Sequence, residues 1–159
     1  MTDQIAAQVV QAGKEYKTGD TLITALNPSS MDLKLGELTL IIGPSGSGKT
    51  TLLSLLGCVI YPSFGEVLID GMQVNNLSEK KLAKIRLEKI GFVFQNFNLI
   101  APLNALENVM IPLQLQHIPE KKARTRATDA LVKVGMGDRL KNLPKALSGG
   151  QEWRLRERW

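Results

Sequence analysis

The sequence has one cysteine, no long apolar run and no leader-like N-terminus. Cys58 stands alone among 159 residues, so a disulfide within one chain is excluded. It sits in the apolar run LLSLLGCVI, where a buried, inert thiol is expected. The opening MTDQIAAQVV carries neither a charged n-region nor a long apolar core, so it does not read as a signal peptide. No apolar stretch is long enough to cross a bilayer. These absences point to a cytosolic protein whose membrane link, if any, runs through a partner. Internal repeats and low-complexity segments are also lacking.

What is present fits one globular domain. A length of 159 residues allows a real core, and the apolar and charged fractions of 43% and 22% are ordinary. The formal charge of +5 suits nucleic acid, an anionic membrane surface or a phosphorylated ligand, or simply a solvated surface. No basic run exceeds a few residues.

Local patterns assign most of the chain. Residues 38–42, LTLII, read as a strand buried on both faces and ending at a glycine. Leu52, Leu53, Leu55, Leu56, Val59 and Ile60 then recur at helical spacing, with Pro62 closing that helix. GEVLIDG at 65–71 reads as a strand between turn glycines, and SEKKLAKIRLEK at 78–89 as a surface helix capped by Ser78. IGFVF at 90–94 reads as a second buried strand. Beyond Gln95 the pattern turns helical. Asn104 and Glu107 form a capping box ahead of LENVMIPLQL. Pro119 suits the start of a long helix with Ala123, Ala127, Ala130, Leu131 and Val134 on one face, and Gly135 ends it.

Residues 43–50 read GPSGSGKT, the G-x-x-x-x-G-K-[ST] pattern of a phosphate loop between strand and helix. Each residue type has a physical task. Gly43, Gly46 and Gly48, with Pro44, Ser45 and Ser47 between them, let backbone N–H groups turn toward phosphate oxygens. The following helix directs its positive end at the same anion. Lys49 brings an ammonium to the β- and γ-phosphates, and the Thr50 hydroxyl suits Mg²⁺. Thr51 is a secondary neighbour. The pattern specifies a nucleoside triphosphate with Mg²⁺ but does not separate transporters from GTPases or small-molecule kinases.

A second anion cradle follows at LSGGQ, where Ser148, Gly149, Gly150 and Gln151 open another helix. Two cradles are needed if each nucleotide is sandwiched between the phosphate loop of one subunit and this loop of another. Over residues 3–152 the chain resembles the ATP-binding subunits of the ABC transporter family. The resemblance implies the cofactors ATP and Mg²⁺. It implies that Gln95, in Phe94-Gln95-Asn96, contacts Mg²⁺ and the attacking water. It also implies that the loop after Gln95 touches a membrane permease subunit. Tyr16 lies where the family places a ring under adenine, although a plain surface tyrosine has the same spacing. FNLIAPLNALENVMIPL is similar to the branch with lipoprotein-release, macrolide-export and DevA-like subunits, which implies export or extraction. Intact relatives act as homodimers of ATP-binding subunits, peripheral on the inner face of the plasma membrane through the permease, without inserting themselves. Soluble relatives that act on nucleic acid or ribosomes usually carry paired domains or large insertions, and none is seen here.

Two residues mimic further family features. Asp70 follows an apolar run as a Walker B aspartate does, but it precedes Gln95 and is followed by Gly71, so a turn of the small antiparallel sheet is expected. His117 lies ahead of LSGGQ and cannot be the switch histidine; a loop or helix end is its expected place.

After Gln151 the resemblance ends in EWRLRERW. The Walker B aspartate, the water-polarising glutamate, the dimer-contact loop and the switch histidine would all lie further on. Without a Walker B strand, LTLII is expected to keep an open apolar edge. The tail can be derived from a family-like sequence: TGG CGA TTG CGA GAG CGC TGG encodes WRLRERW, and with one G in front the shifted frame encodes VAIARAL. A frameshift after Gln151 or Glu152 is therefore one reading, and a short basic amphipathic tail is the other.

The expected fold is α/β: a P-loop NTPase of ABC type with an N-terminal antiparallel β subdomain and a helical subdomain, the C-terminal part of the core missing. The expected divisions are a P-loop core over 1–95, a helical subdomain over 96–152, and an out-of-frame tail over 153–159. The expected function is the ATP-binding subunit of a transporter, inactive in hydrolysis at this length. The alternative is a non-hydrolysing fragment that binds ATP or an intact subunit.

Overall fold

A computed structural model of the chain describes residues 4–93 and 98–156. They divide into two compact units, residues 1–86 and 87–159.

The first unit is built on a four-stranded antiparallel sheet in the order β2-β1-β3-β4. Strands β1 (Ile5–Thr18) and β2 (Thr21–Lys34) form a long hairpin. Its two-residue turn needs a left-handed backbone, and Gly19 supplies it at φ 60°. Gln11 interrupts β1 as a bulge with φ 46°, its N–H donating to Ser30 Oγ at 2.9 Å. Strand β3 (Phe64–Ile69) pairs with the other edge of β1. There Gly65, at φ 73°, lies so close to the Gln11 backbone that any Cβ would collide with it. Asp70 and Gly71, with φ 48° and 75°, make the tight turn into β4 (Met72–Gln73). Asp70 thus stands in a hairpin turn, as its sequence context suggests.

Helix α1 (Lys49–Leu56) ends earlier than Pro62 requires. The reason is a Schellman turn. The Val59 N–H donates to Ser54 O at 2.9 Å and the Cys58 N–H to Leu55 O at 3.0 Å, with Cys58 in the left-handed conformation at φ 53°. Cys58 is buried, and burial raises its thiol pKa, offset in part by the Arg86 guanidinium. Arg86 also donates to Cys58 O at 2.6 Å, which ties α2 (Glu79–Lys89) to this turn. Val9, Ala12, Leu26, Leu55, Val67 and Leu82 are buried in this unit.

Two expected strands do not form. Residues 38–42 lie ahead of α1 without ladder partners, and Leu38, Leu40 and Ile42 are 100%, 80% and 80% exposed. Residues 90–93 likewise take no place in the sheet, and Phe94 lies outside the described residues. Strand structure needs a neighbour for its backbone N–H and C=O groups. All four described strands pair with one another, and none pairs with either segment.

The second unit is helical. Helix α3 (Ala105–Leu115) starts with the expected capping box: Glu107 N–H donates to Asn104 Oδ1 at 2.9 Å, and Asn104 N–H to Glu107 Oε2 at 2.8 Å. It ends in a Schellman turn with His117 left-handed at φ 57°. Helix α4 (Glu120–Lys133) ends the same way, with Gly135 at φ 70°. Helix α5 (Gly149–Arg156) follows a short 3-10 turn at Pro144–Ala146. Leu106, Val109 and Met110 of α3, Ala127 and Leu131 of α4, and Leu155 of α5 share one core. Among the described residues of this unit, Asn108 is the buried polar side chain. Its Oδ1 accepts from Ile100 N–H at 2.8 Å, and its Nδ2 donates to Leu103 O at 2.9 Å and Asn104 O at 3.0 Å. Those bonds fix the loop entering α3.

Candidate nucleotide site

The phosphate loop keeps its local architecture although the segment before it is unpaired. Gly46 and Gly48 have φ 79° and 86°, the left-handed values that turn successive backbone N–H groups to one side. Gly48 is also the N-cap of α1. A Cβ there would stand 2.9 Å from Ala25 O and from Leu26 Cδ1, so close packing on β2 adds to the demand for glycine. At Gly46 nothing lies within 4 Å of a Cβ position, which leaves that face of the loop open. The loop closes through the Ser47 N–H donating to Pro44 O at 3.3 Å.

The Lys49 ammonium folds back over the loop. It donates to Gly43 O at 2.8 Å and Pro44 O at 2.6 Å, and lies 3.5 Å from Ser47 Oγ. The cation is thereby anchored on the loop's own carbonyls. Thr50 and Thr51 occupy the first turn of α1, Thr50 exposed and Thr51 partly covered. No acidic side chain lies in that turn, so the positive end of the helix is not neutralised from within. An anionic phosphate fits this set: an open backbone cradle, a positioned ammonium and a helix N-terminus. Thr50 supplies a hydroxyl suited to Mg²⁺.

In the second unit, the residues of the signature stretch form a feature that its resemblance to a known motif had obscured. Ser148 N–H donates to Gln151 Oε1 at 2.9 Å, and Gln151 N–H donates to Ser148 Oγ at 3.3 Å. This is a reciprocal capping box, and its S-x-x-Q spacing was readable from the sequence. Ser148, Gly149 and Gly150 are exposed at the head of α5.

The other candidates are more dispersed. Tyr16 is 45% exposed near the turn end of β1, with the Lys14 ammonium 5.2 Å from its ring centroid. Gln95 lies outside the described residues. His117 is the left-handed residue that ends α3.

Arg154 and Leu155 of the tail are integrated into the second unit. Arg154 Nη1 donates to Val134 O at 3.2 Å, satisfying a carbonyl at the end of α4, and Nε donates to Gly150 O at 3.3 Å. Leu155 is 0% exposed.

Comparison with known proteins agrees with these features. Residues 26–156 match the family model described as ABC transporter. The chain is 46% identical to an uncharacterized ABC transporter ATP-binding protein of Thermotoga maritima, over 93% of this chain and 63% of that protein. It is 38% identical to the macrolide export ATP-binding/permease protein MacB of Vibrio parahaemolyticus, over 95% of this chain and 23% of that protein. It superposes with a TM-score of 0.86, at 43% identity, on the dimeric ATP-binding cassette MJ0796 in a post-hydrolysis state bound to ADP and Pi, covering 94% of this chain and 66% of that one. The chain thus spans a little under two thirds of the length of these two single-cassette relatives. With a built phosphate loop, a capped signature helix and these matches, the chain belongs to the ABC transporter family as an ATP-binding cassette.

Proposed function

We propose that this chain binds MgATP as part of an ATP-binding subunit that drives a membrane permease in export or extraction. The observation that carries the reading is the phosphate loop, with left-handed Gly46 and Gly48 and the Lys49 ammonium seated on its carbonyls. The backbone N–H groups around Gly46 and Gly48, with Lys49, would hold the phosphates. Thr50 and Gln95 would share Mg²⁺, and Tyr16 would face the base. Ser148, Gly149, Gly150 and Gln151 would meet the nucleotide of a partner subunit. MgATP supplies the free energy of transport when hydrolysed.

The export assignment draws on the similarity to MacB, whose name gives macrolide export. Dimer formation draws on the dimeric cassette MJ0796. No helix among the described residues is long and apolar enough to cross a membrane, so attachment to the inner face of the plasma membrane would run through the permease.

Gel filtration of the chain with labelled MgATP tests the reading: the native chain should carry nucleotide and Lys49→Ala should not. Equal retention by the two proteins, or none by the native chain, would overturn this reading.

A further inference from the structure

The charge of the chain is segregated between its two units. Residues 1–86 carry eight basic and eight acidic side chains; residues 87–159 carry twelve and seven. The entire formal excess of +5 therefore belongs to the helical unit. Within it, α4 is the densest element. Its inner face is neutral, with Ala123, Ala127 and Leu131 in the core. Its outer face exposes Lys121, Lys122, Arg126 and Lys133, none of which forms a salt bridge among the described residues. Arg124 is already paired with Glu120 at 3.2 Å and adds little. Lys122 and Arg126 are one turn apart, and Lys133 lies two turns beyond Arg126 on the same stripe, interrupted by Asp129.

Apolar surface accompanies this stripe. Val132 is 56% exposed on the outer side of α4. The Arg154 contact with Val134 O sets α5 against the end of α4, and the adjacent Trp153 is 46% exposed. Cations without salt bridges, with the exposed Val132 next to Lys133 on the same helix, match the chemistry of a bilayer surface: basic groups meet anionic headgroups while an apolar side chain meets the interface. Duplex nucleic acid would use the cations but not the apolar side chains.

We infer that the outer face of α4 is a docking surface for anionic phospholipid headgroups. It would hold the helical unit at the bilayer independently of any permease. The choice of membrane over other polyanions rests in part on the transporter reading, so the test contains neither nucleotide nor permease and does not depend on ATP binding.

The experiment is co-sedimentation of the full 159-residue chain with phosphatidylcholine vesicles, with and without phosphatidylglycerol. Binding is expected only with phosphatidylglycerol and should weaken as salt is raised. Each cation near an anionic surface contributes roughly fivefold in affinity, so the triple variant Lys122→Gln, Arg126→Gln, Lys133→Gln should bind at least about tenfold more weakly. The double variant Lys14→Gln, Lys17→Gln in the first unit should bind as the native chain does. Asp129→Asn, which removes the interrupting carboxylate, should bind a few times more tightly and keeps the test decisive if the triple variant fails to fold. Equal binding to both vesicle types, unchanged binding by the triple variant and Asp129→Asn, or preference for duplex DNA over the anionic vesicles would each overturn the inference.

Discussion

Two leucines mark the contrast between two segments of this chain. Leu38, ahead of the phosphate loop, is 100% exposed; Leu155, in the arginine-rich stretch after the signature loop, is 0% exposed. The first belongs to LTLII, as apolar a run as the chain has, and the second to WRLR. Composition alone would assign them the other way round. The difference lies in what each segment finds to pair with. A buried strand depends on neighbours on both sides, and none of the described strands pairs with residues 38–42. A helix satisfies its own backbone and needs only one apolar stripe against a core. Helix α5 places Leu155 into the cluster of α3 and α4, while Arg154 covers a carbonyl at the end of α4.

The largest effect that sharpens this contrast is on Leu155. Leu155→Ala should destabilise the helical unit by about 2–5 kcal/mol, whereas Leu38→Ala should change stability by less than about 0.5 kcal/mol. Urea unfolding of the two variants checks this, and equal losses would remove the distinction. Next comes Asn108, whose loss strands the Ile100 N–H and breaks the loop before α3. Asn108→Ala should cost about 2–4 kcal/mol, and hydrogen exchange should quicken first at the Ile100 amide. A smaller effect is expected at the signature capping box. Gln151→Ala should cost about 0.5–1 kcal/mol, while Gln151→Glu, which preserves S-x-x-E, should stay near the native value in thermal unfolding. The smallest change has the opposite sign. His117→Gly relieves a left-handed residue at an exposed helix end and should stabilise by up to about 1 kcal/mol. A loss there would mean that the imidazole makes contacts beyond its turn.

What the sequence showed in advance follows a physical division. Features set by a few adjacent residues were legible: the phosphate loop, the Asn104–Glu107 box, β3 with its Asp70–Gly71 turn, and the end of α4 at Gly135. Features set by distant pairing were not. LTLII has a strand's composition, but a ladder depends on a neighbour that composition does not supply. The early end of α1 escaped because its left-handed residue is Cys58, not a glycine, and Pro62 offered a more familiar stop. Leu155 escaped because helical periodicity in so short a charged stretch gives one apolar contact and no pattern. At the candidate site, Lys49 and the loop glycines were identified by position, while the bonds from Lys49 to Gly43 O and Pro44 O required the structure.

The central claim is that the phosphate loop is locally complete, although the apolar segment ahead of it is unpaired. Equilibrium titration of the 159-residue chain with MgATP, beside Lys49→Ala, tests this most directly. Saturable, Mg²⁺-dependent binding by the native chain that is lost in Lys49→Ala is the expected result. No binding by the native chain, or equal binding by the two proteins, would contradict it.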